Sequence, residues 1–354
     1  MDQDIPPYNE LLNRHYHGSW YTRAAFYRDL DRDDRNITMA KFISMIQNER
    51  RLRALTGLDF DTFMALLPTF TGAMEHYLRH YTLDGYVRES DRAITYANSP
   101  LPSPEDRFLF ILIYLKQNPI QEAHGQLFGM TQSNVSKWVT LLLTILERTL
   151  ANQRVLPART TSELVAQLQA DATPIDPEAP PFFCHDGTER PVARPKDDDE
   201  QEVYYSGKKK DHTIKNVVIV DATGAIRFLS ATYAGRVHDK HIADESHYQL
   251  PEGSVLAQDS GFQGFALPGV TILQPKKKPP KGTLTDEEKA DNRWISHIRI
   301  LVEHSIGGIK VYRIVHDVIR HYTSEIRDQV MEICCGLYNF RLRRQMTASS
   351  IDEP

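Results

Sequence analysis

Three carboxylates stand where they can do chemistry together. Asp186 follows an apolar run in "PFFCHDGTERPV", Asp259 follows another in "SVLAQDSGFQG", and Glu303 lies in "RILVEHSIGGIK". Short apolar, β-branched runs predict strands, so both aspartates are expected at strand ends, where neighbouring strands bring them to one edge of a sheet. The stretch 284–311 has helical periodicity, with Ile295, Ile298, Val302, Ile306 and Ile309 as the buried stripe. Glu303 falls on the border of that stripe and shares a flank with Ser296, Arg299, Gly307 and Lys310. Each acid alone has a plainer reading: a strand-end aspartate forms turns, and a helix-border glutamate faces solvent. Brought together, three carboxylates repel one another, and divalent cations relieve that repulsion. Hard oxygen donors, few cysteines and no paired histidine motif point to Mg²⁺ or Mn²⁺ rather than Zn²⁺. Two such ions about 3.5–4 Å apart polarise an attacking oxygen and steady a leaving one, the chemistry of phosphodiester cleavage and transfer. Gly187 and Gly261, just after the aspartates, leave room for a DNA strand, and Arg299 and Lys310 are candidates to hold its phosphates.

The elements that must position these residues divide the chain. The first half is expected to be helical: "NITMAKFISMIQNERRLRALTG" and "DFDTFMALLPTFTGAMEHYLRHYT" have apolar residues at three- and four-residue spacing, the second with Asp59 or Asp61 as a cap. Three more helices are predicted near 104–117, 120–127 and 131–148. The last two, in "IQEAHGQLFGMTQSNVSKWV", predict a helix-turn-helix at about 120–146, with Val135, Val139 and Leu142 inward. Gln132, Ser133, Ser136 and Lys137 then face outward near the start of the second helix, with side chains suited to base edges and phosphates; ordinary packing of a helical hairpin gives the same pattern. Residues 156–178, with room for one short helix before a proline-rich stretch, are expected to link this region, 1–155, to a second domain at 179–347, followed by a tail at 348–354. In that domain "PFFCHD", "TIKNVVIVD", "AIRFLSATY", "SVLAQD" and "GVTILQP" predict a mixed sheet, "DATG" a hairpin turn, and "HDKHIADESHY" a helix between the third and fourth strands. Helices near 284–311 and 323–345 close the chain.

Composition bounds the remaining classes. A chain of 354 residues with 41% hydrophobic and 25% charged residues fits a globular protein of two domains. No apolar run reaches the roughly 18–20 residues of a membrane span, and the polar N-terminus is not expected to be a signal peptide. Three cysteines argue against a disulfide scaffold and for a reducing compartment. The net charge of −5 is acidic for a nucleic-acid binder, but the lysines cluster, in "SGKKKDHTIK" and "QPKKKPPKG", so one face is able to be basic. Lys208, Lys209 and Lys210 are expected in a hairpin that either contacts phosphate or is a solvated turn. Trp294 is expected in the core, the alternative being insertion at a distorted DNA end. Cys184 and His185, adjacent on a strand, point to opposite faces and do not form a nucleophile–base pair. Asp239 is either an auxiliary site residue beside His238 or a helix cap.

The spaced segments "HDGTERPV", "YYSGKKKDHTIKNVVIVDATGAI", "GRVHDKHI", "VLAQDSGFQG", "QPKKKP" and "LTDEEKADNRWISHIRILVEHSIGGIKVYRI" resemble, in order, DDE-type insertion-sequence transposases of the Harbinger-related group. The resemblance covers most of the chain. It implies a ribonuclease-H-like catalytic domain, α/β with a mixed sheet flanked by helices, behind an all-α N-terminal helix-turn-helix domain. It also implies that the family's two aspartates and glutamate match Asp186, Asp259 and Glu303. The segment holding His238 and Asp239 is characteristic too; Phe262 replaces a frequent tyrosine. The function then expected is that of a DNA transposase that binds terminal inverted repeats. It would use two Mg²⁺ (or Mn²⁺) ions on the three acids to cut double-stranded DNA and join the 3′ end to a target. Such a protein is expected to work as a homodimer or larger assembly, without a membrane, at the nucleoid of a bacterial host or in the nucleus of a eukaryotic one. The alternatives are a metal-dependent endonuclease that does not integrate, and a DNA-binding regulator with an idle catalytic domain.

Overall fold

The computed structural model describes residues 48–83, 85–89, 99–171, 179–279, 282–320 and 323–351. The first part of the helical stretch expected at 36–57 and the end of the expected tail lie outside them. The described N-terminal region is helical: α1 (Glu49–Thr56), α2 (Phe60–His80), α3 (Pro104–Gln117), α4 (Gln121–Phe128) and α5 (Gln132–Asn152). Capping explains where they start. Asp59 accepts a bond from the Thr62 N–H at 2.8 Å, and Ser103 does the same for Asp106 ahead of Pro104 at the first helical position. Helix α3 is buried on every side from Glu105 to Leu115, as a helix apolar all round must be, and the others pack about it.

The stretch expected as a linker carries a helix, α6 (Thr161–Ala170), opened by a reciprocal capping box between Thr160 and Glu163. It lies on the sheet: Ala158 bridges to Phe228, and Leu164 is fully buried with Phe183, Val217 and Phe228.

The sheet comprises β1 (Phe182–Pro191), β2 (Tyr205–Ser206), β3 (Asp211–Asp221), β4 (Ile226–Leu229), β5 (Tyr233–Ala234), β6 (Val255–Ala257) and β7 (Thr271–Leu273). Its order is β2-β3-β1-β6-β7, with β4 and β5 also paired to β3. β1 is antiparallel to β3 and parallel to β6, and β6 is parallel to β7. A short helix, α7 (Asp198–Tyr204), absorbs the acidic run before β2, and α8 (Asp239–Ser246) separates β5 from β6. Then follow α9 (Asp286–Ile309), the single turn α10 (Arg313–His316) and α11 (Ser324–Ile351).

Alternation along β1 and β3 gives the sheet two apolar faces. Cys184, Val218 and Val220 join Val302 and Ile309 of α9, Leu337 of α11 and the helical region in one core. Phe183, Val217, Ile219, Leu256 and Phe262 form a second core under α8. The expected stripe on α9 is the buried one: Ile295, Val302 and Ile309 are buried, and Ile298 and Ile306 pack against the core.

One boundary differs in a way that matters. β1 runs five residues past Asp186, pairing with β3 as far as Pro191↔Thr213, so Asp186 is in mid-strand rather than at a strand exit. The polar letters "GTER" read as a loop, but β3 supplies partners for them. Glu189 accepts from the Thr213 hydroxyl at 2.8 Å. Arg190, buried, donates to Asn216 Oδ1 at 2.8 Å and to the Arg327 carbonyl at 2.9 Å.

Candidate nucleic-acid-cutting site

Asp186 and Asp259 lie beyond a parallel strand pairing, near enough for the Asp259 charge to act on Asp186. Cys184 lies beside Ala257 in the β1–β6 ladder, so each aspartate follows its paired position by two residues. The Asp186 side chain is mostly buried and accepts from its neighbour Gly187 N–H at 2.8 Å. Arg299 Nη2 of α9 stands 3.4 Å from its other oxygen. Burial pushes the Asp186 carboxyl up to about 6; Arg299 opposes that shift and the charge of Asp259 adds to it. Burial and a neighbouring carboxylate thus both disfavour the charged form of Asp186, and a positive charge is needed beside it to hold it ionised. Asp259 opens a 3-10 turn, Ser260–Phe262, and accepts from the Gly261 N–H at 2.6 Å. It is therefore a turn-former as well as a site candidate.

Glu303 is placed differently. Helix α9 starts at a capping box between Thr285 and Glu288 and runs along β1, touching it through Arg299 at Asp186 and through Lys310 Nζ, 3.2 Å from the Glu189 carbonyl. Glu303 is one turn beyond Arg299 on that flank, since residues four apart share a helix face. It is exposed, and no hydrogen bond or ion pair joins it to either aspartate. A Cβ built on Gly307, one turn further, meets none of the described residues within 4 Å. Among the described residues no group of three or more His, Cys, Asp or Glu side chains stands close enough to hold a metal ion. The two aspartates offer carboxylate oxygens, donors of the kind a hard divalent cation takes. A cation there competes with Arg299 for Asp186.

Basic side chains border the two aspartates. The β2–β3 turn carries exposed Lys208, Lys209 and Lys210. The charge of Lys208 acts on Asp186, and that of Lys209 adds to burial in lowering the Lys310 pKa. The Arg299 Nε is buried and has no hydrogen-bond partner among the described residues.

Asp239 is the first residue of α8; the cap position is His238, whose side chain makes no capping bond. The Asp239 carboxylate turns inward to Lys215 Nζ at 3.2 Å, and Lys215 also faces Glu189 at 3.6 Å. It fills the space beside both site glycines. A Cβ on Gly187 would stand 2.7 Å from Asp239 Oδ1, and one on Gly261 would stand 3.2 Å from Oδ2. Sequence reasoning missed Lys215 and Glu189, because only the β1–β3 register, which pairs these two residues, makes them neighbours.

Other expectations sort as follows. Cys184 and His185 do face opposite ways. Burial drives the Cys184 thiol up to about 12, and His185, pushed down to about 3 by burial, bonds Tyr248 and Gln258. Phe262 stacks on that imidazole at 3.8 Å between ring centroids, so its site is apolar. Trp294 is 56% exposed, not core, because it lies off the α9 stripe.

In the helical region α4 ends at Gly129 in the left-handed conformation, and Thr131 opens α5. The Met130 N–H returns to the Gly125 carbonyl at 2.9 Å. Val135, Val139 and Leu142 are buried; Gln132, Ser133 and Lys137 are exposed and Ser136 is half-buried.

The class follows from where known families match. Residues 185–339, which include Asp186, Asp259 and Glu303, match the family described as DDE superfamily endonuclease. Residues 99–152, which include α4 and α5, match the helix-turn-helix of DDE superfamily endonuclease. A curated protein named "Probable transposase for insertion sequence element IS702", from Microchaete diplosiphon, is 26% identical over 240 residues, 67% of this chain and 80% of that protein. Together these matches support a likeness to DDE-type insertion-sequence transposases across the sheet region and the helical hairpin. No solved structure matches it, and among the described residues no helix is long and apolar enough to cross a membrane.

Proposed function

We propose that the protein is a DNA transposase with a ribonuclease-H-like catalytic domain, in which Asp186, Asp259 and Glu303 hold two Mg²⁺ (or Mn²⁺) ions. One observation carries this reading most directly. Asp186 and Asp259, 73 residues apart in sequence, come within range of each other's charge beneath a helix that presents Arg299, Glu303 and Lys310 along the same strand. The sheet supports the fold assignment, since antiparallel β4, β3 and β1 continue into parallel β6 and β7.

Bound divalent ions supply activation of the attacking oxygen and charge relief at the leaving one. The chain's residues do the rest. Arg299 neutralises Asp186 before DNA arrives, and its guanidinium then pairs a phosphate in fork geometry. Lys310 and Lys208–Lys210 line the backbone path. Glu303 faces the open side, so substrate reaches it without displacing core residues. Water adds to a phosphodiester at the element's end, leaving a 3′-OH and a 5′-phosphate. That 3′-OH then attacks a target phosphodiester and displaces a second 3′-oxygen, so each step trades one P–O bond for another.

The helix-turn-helix is assigned to the terminal inverted repeats, with Gln132, Ser133, Ser136 and Lys137 at the DNA. Two ends joined to one target call for a homodimer or larger assembly. The test is to incubate the protein with its own repeat ends, target DNA and Mg²⁺. Nicked and joined products are expected, with Asp259→Ala abolishing both while repeat binding persists. Cleavage without joining would instead mark an endonuclease, and repeat binding with no cleavage by the wild type a regulator.

A further inference from the structure

We infer that Lys215 is a positioning residue: through Asp239 it sets the spacing of the two segments that carry Asp186 and Asp259. This rests on the proposed function of that site. Side chains alternate along β1, so Asp186 faces α9 while Gly187 and Glu189 face the other way, toward α8. Asp239 occupies that rear side, wedged between the backbone of Gly187 and the turn at Gly261. It touches the residue after Asp186 and the residue two beyond Asp259, and it approaches the site from behind. Its carboxylate stays there because Lys215, buried in the middle of β3, holds it at 3.2 Å and is itself held by Glu189 at 3.6 Å. Glu189 is fixed in turn by the Thr213 hydroxyl.

The arrangement gives a reason for both glycines. A side chain at either would push into Asp239 or Asp259 and drive the two segments apart. It also separates charges by role. Lys215 is a built-in counter-cation for Asp239 and Glu189, so these two acids do not compete with Asp186 and Asp259 for an exchangeable cation. Groups that orient metal-binding carboxylates from behind typically change metal affinity by about 10–100-fold when removed.

The test is Mn²⁺ binding to the full-length protein, followed by electron paramagnetic resonance, beside cleavage, repeat binding and thermal unfolding. Lys215→Met and Asp239→Asn are each expected to weaken Mn²⁺ binding by about tenfold or more and to lower cleavage in step. The double variant should be no weaker than either single one, because both act through one contact. Repeat binding is expected to stay unchanged, which a merely structural role would not ensure. Should Lys215→Met fail to fold, Gly187→Ala forces a Cβ onto Asp239 with Lys215 intact and should give the same loss of Mn²⁺ affinity. Unaltered Mn²⁺ binding in folded Lys215→Met or in Gly187→Ala would overturn the inference. So would complete loss of binding in Asp239→Asn alone, which would make Asp239 a metal ligand. Absence of Mn²⁺ binding in the wild type would instead strike the proposed function.

Discussion

Arg299 has two duties in the proposed site. It stands 3.4 Å from Asp186 in the protein alone, and its Nε has no hydrogen-bond partner among the described residues. Arg299→Ala should therefore slow DNA cleavage by at least about tenfold, as loss of a charge-assisted phosphate contact does, while Mn²⁺ affinity rises or holds; a fall in both would assign it to folding. A second residue-scale effect concerns Glu332 of α11. Burial pushes its carboxyl up to about 7, Arg159 opposes that shift, and Glu147, Glu163 and Asp328 add to it. Since the folded pKa lies above the ordinary glutamate value, the folded protein holds the proton more tightly. That contribution to stability is complete below about pH 4.5 and is lost as pH rises toward 7. Glu332→Gln should match the wild type in melting temperature at pH 4.5 and exceed it by a few degrees at pH 8. Equal melting temperatures at pH 8 would contradict the assignment.

At the scale of elements, the helix-turn-helix depends on one close approach. A Cβ on Gly125 would stand 2.4 Å from the Met130 carbonyl oxygen, so Gly125→Ala forces α4 off the turn into α5. Overpacking of this kind costs about 1–3 kcal/mol. The expected result is a lower melting temperature and weaker repeat binding, measured by calorimetry and gel shift. Lys137→Ala should leave stability nearly unchanged and reduce the slope of log affinity against log salt by about one. These helices were legible because capping and periodicity are local: Thr131, Asp59 and the α9 stripe stand where the letters put them. β1 was only half legible. Its apolar start reads as strand, but "GTER" is held in the sheet by Thr213, Asn216 and β3 pairing, partners that no local pattern announces. For the same reason Lys215 and Glu189, neighbours only through the β1–β3 register, escaped the sequence reading.

The described residues pack the helical region and the sheet region on common ground. Val135, Val139 and Leu142 of the helix-turn-helix share one core with Cys184, Val218 and Val302 around the site. Polar ties reinforce it. Lys116 donates to the Val311 carbonyl at 2.8 Å, Gln329 to Glu147 at 2.7 Å, and Arg320 to Asn118 Oδ1 at 2.7 Å, just ahead of α4. Residues 156–171, expected to separate the two regions, lie against the sheet through Ala158 and Leu164. Scanning calorimetry should accordingly show one transition whose calorimetric and van't Hoff enthalpies agree; two resolved transitions would contradict a shared core.

The central claim, that Asp186, Asp259 and Glu303 meet around divalent ions on DNA, is tested most directly by cleavage of the protein's own backbone. Fe²⁺ replaces the bound ion in the repeat-DNA complex, and ascorbate and peroxide generate hydroxyl radicals where it sits. The account predicts cuts near residues 186, 259 and 303, suppressed together by excess Mg²⁺. Cuts confined to the two aspartate segments, with residues near 303 intact, would contradict it.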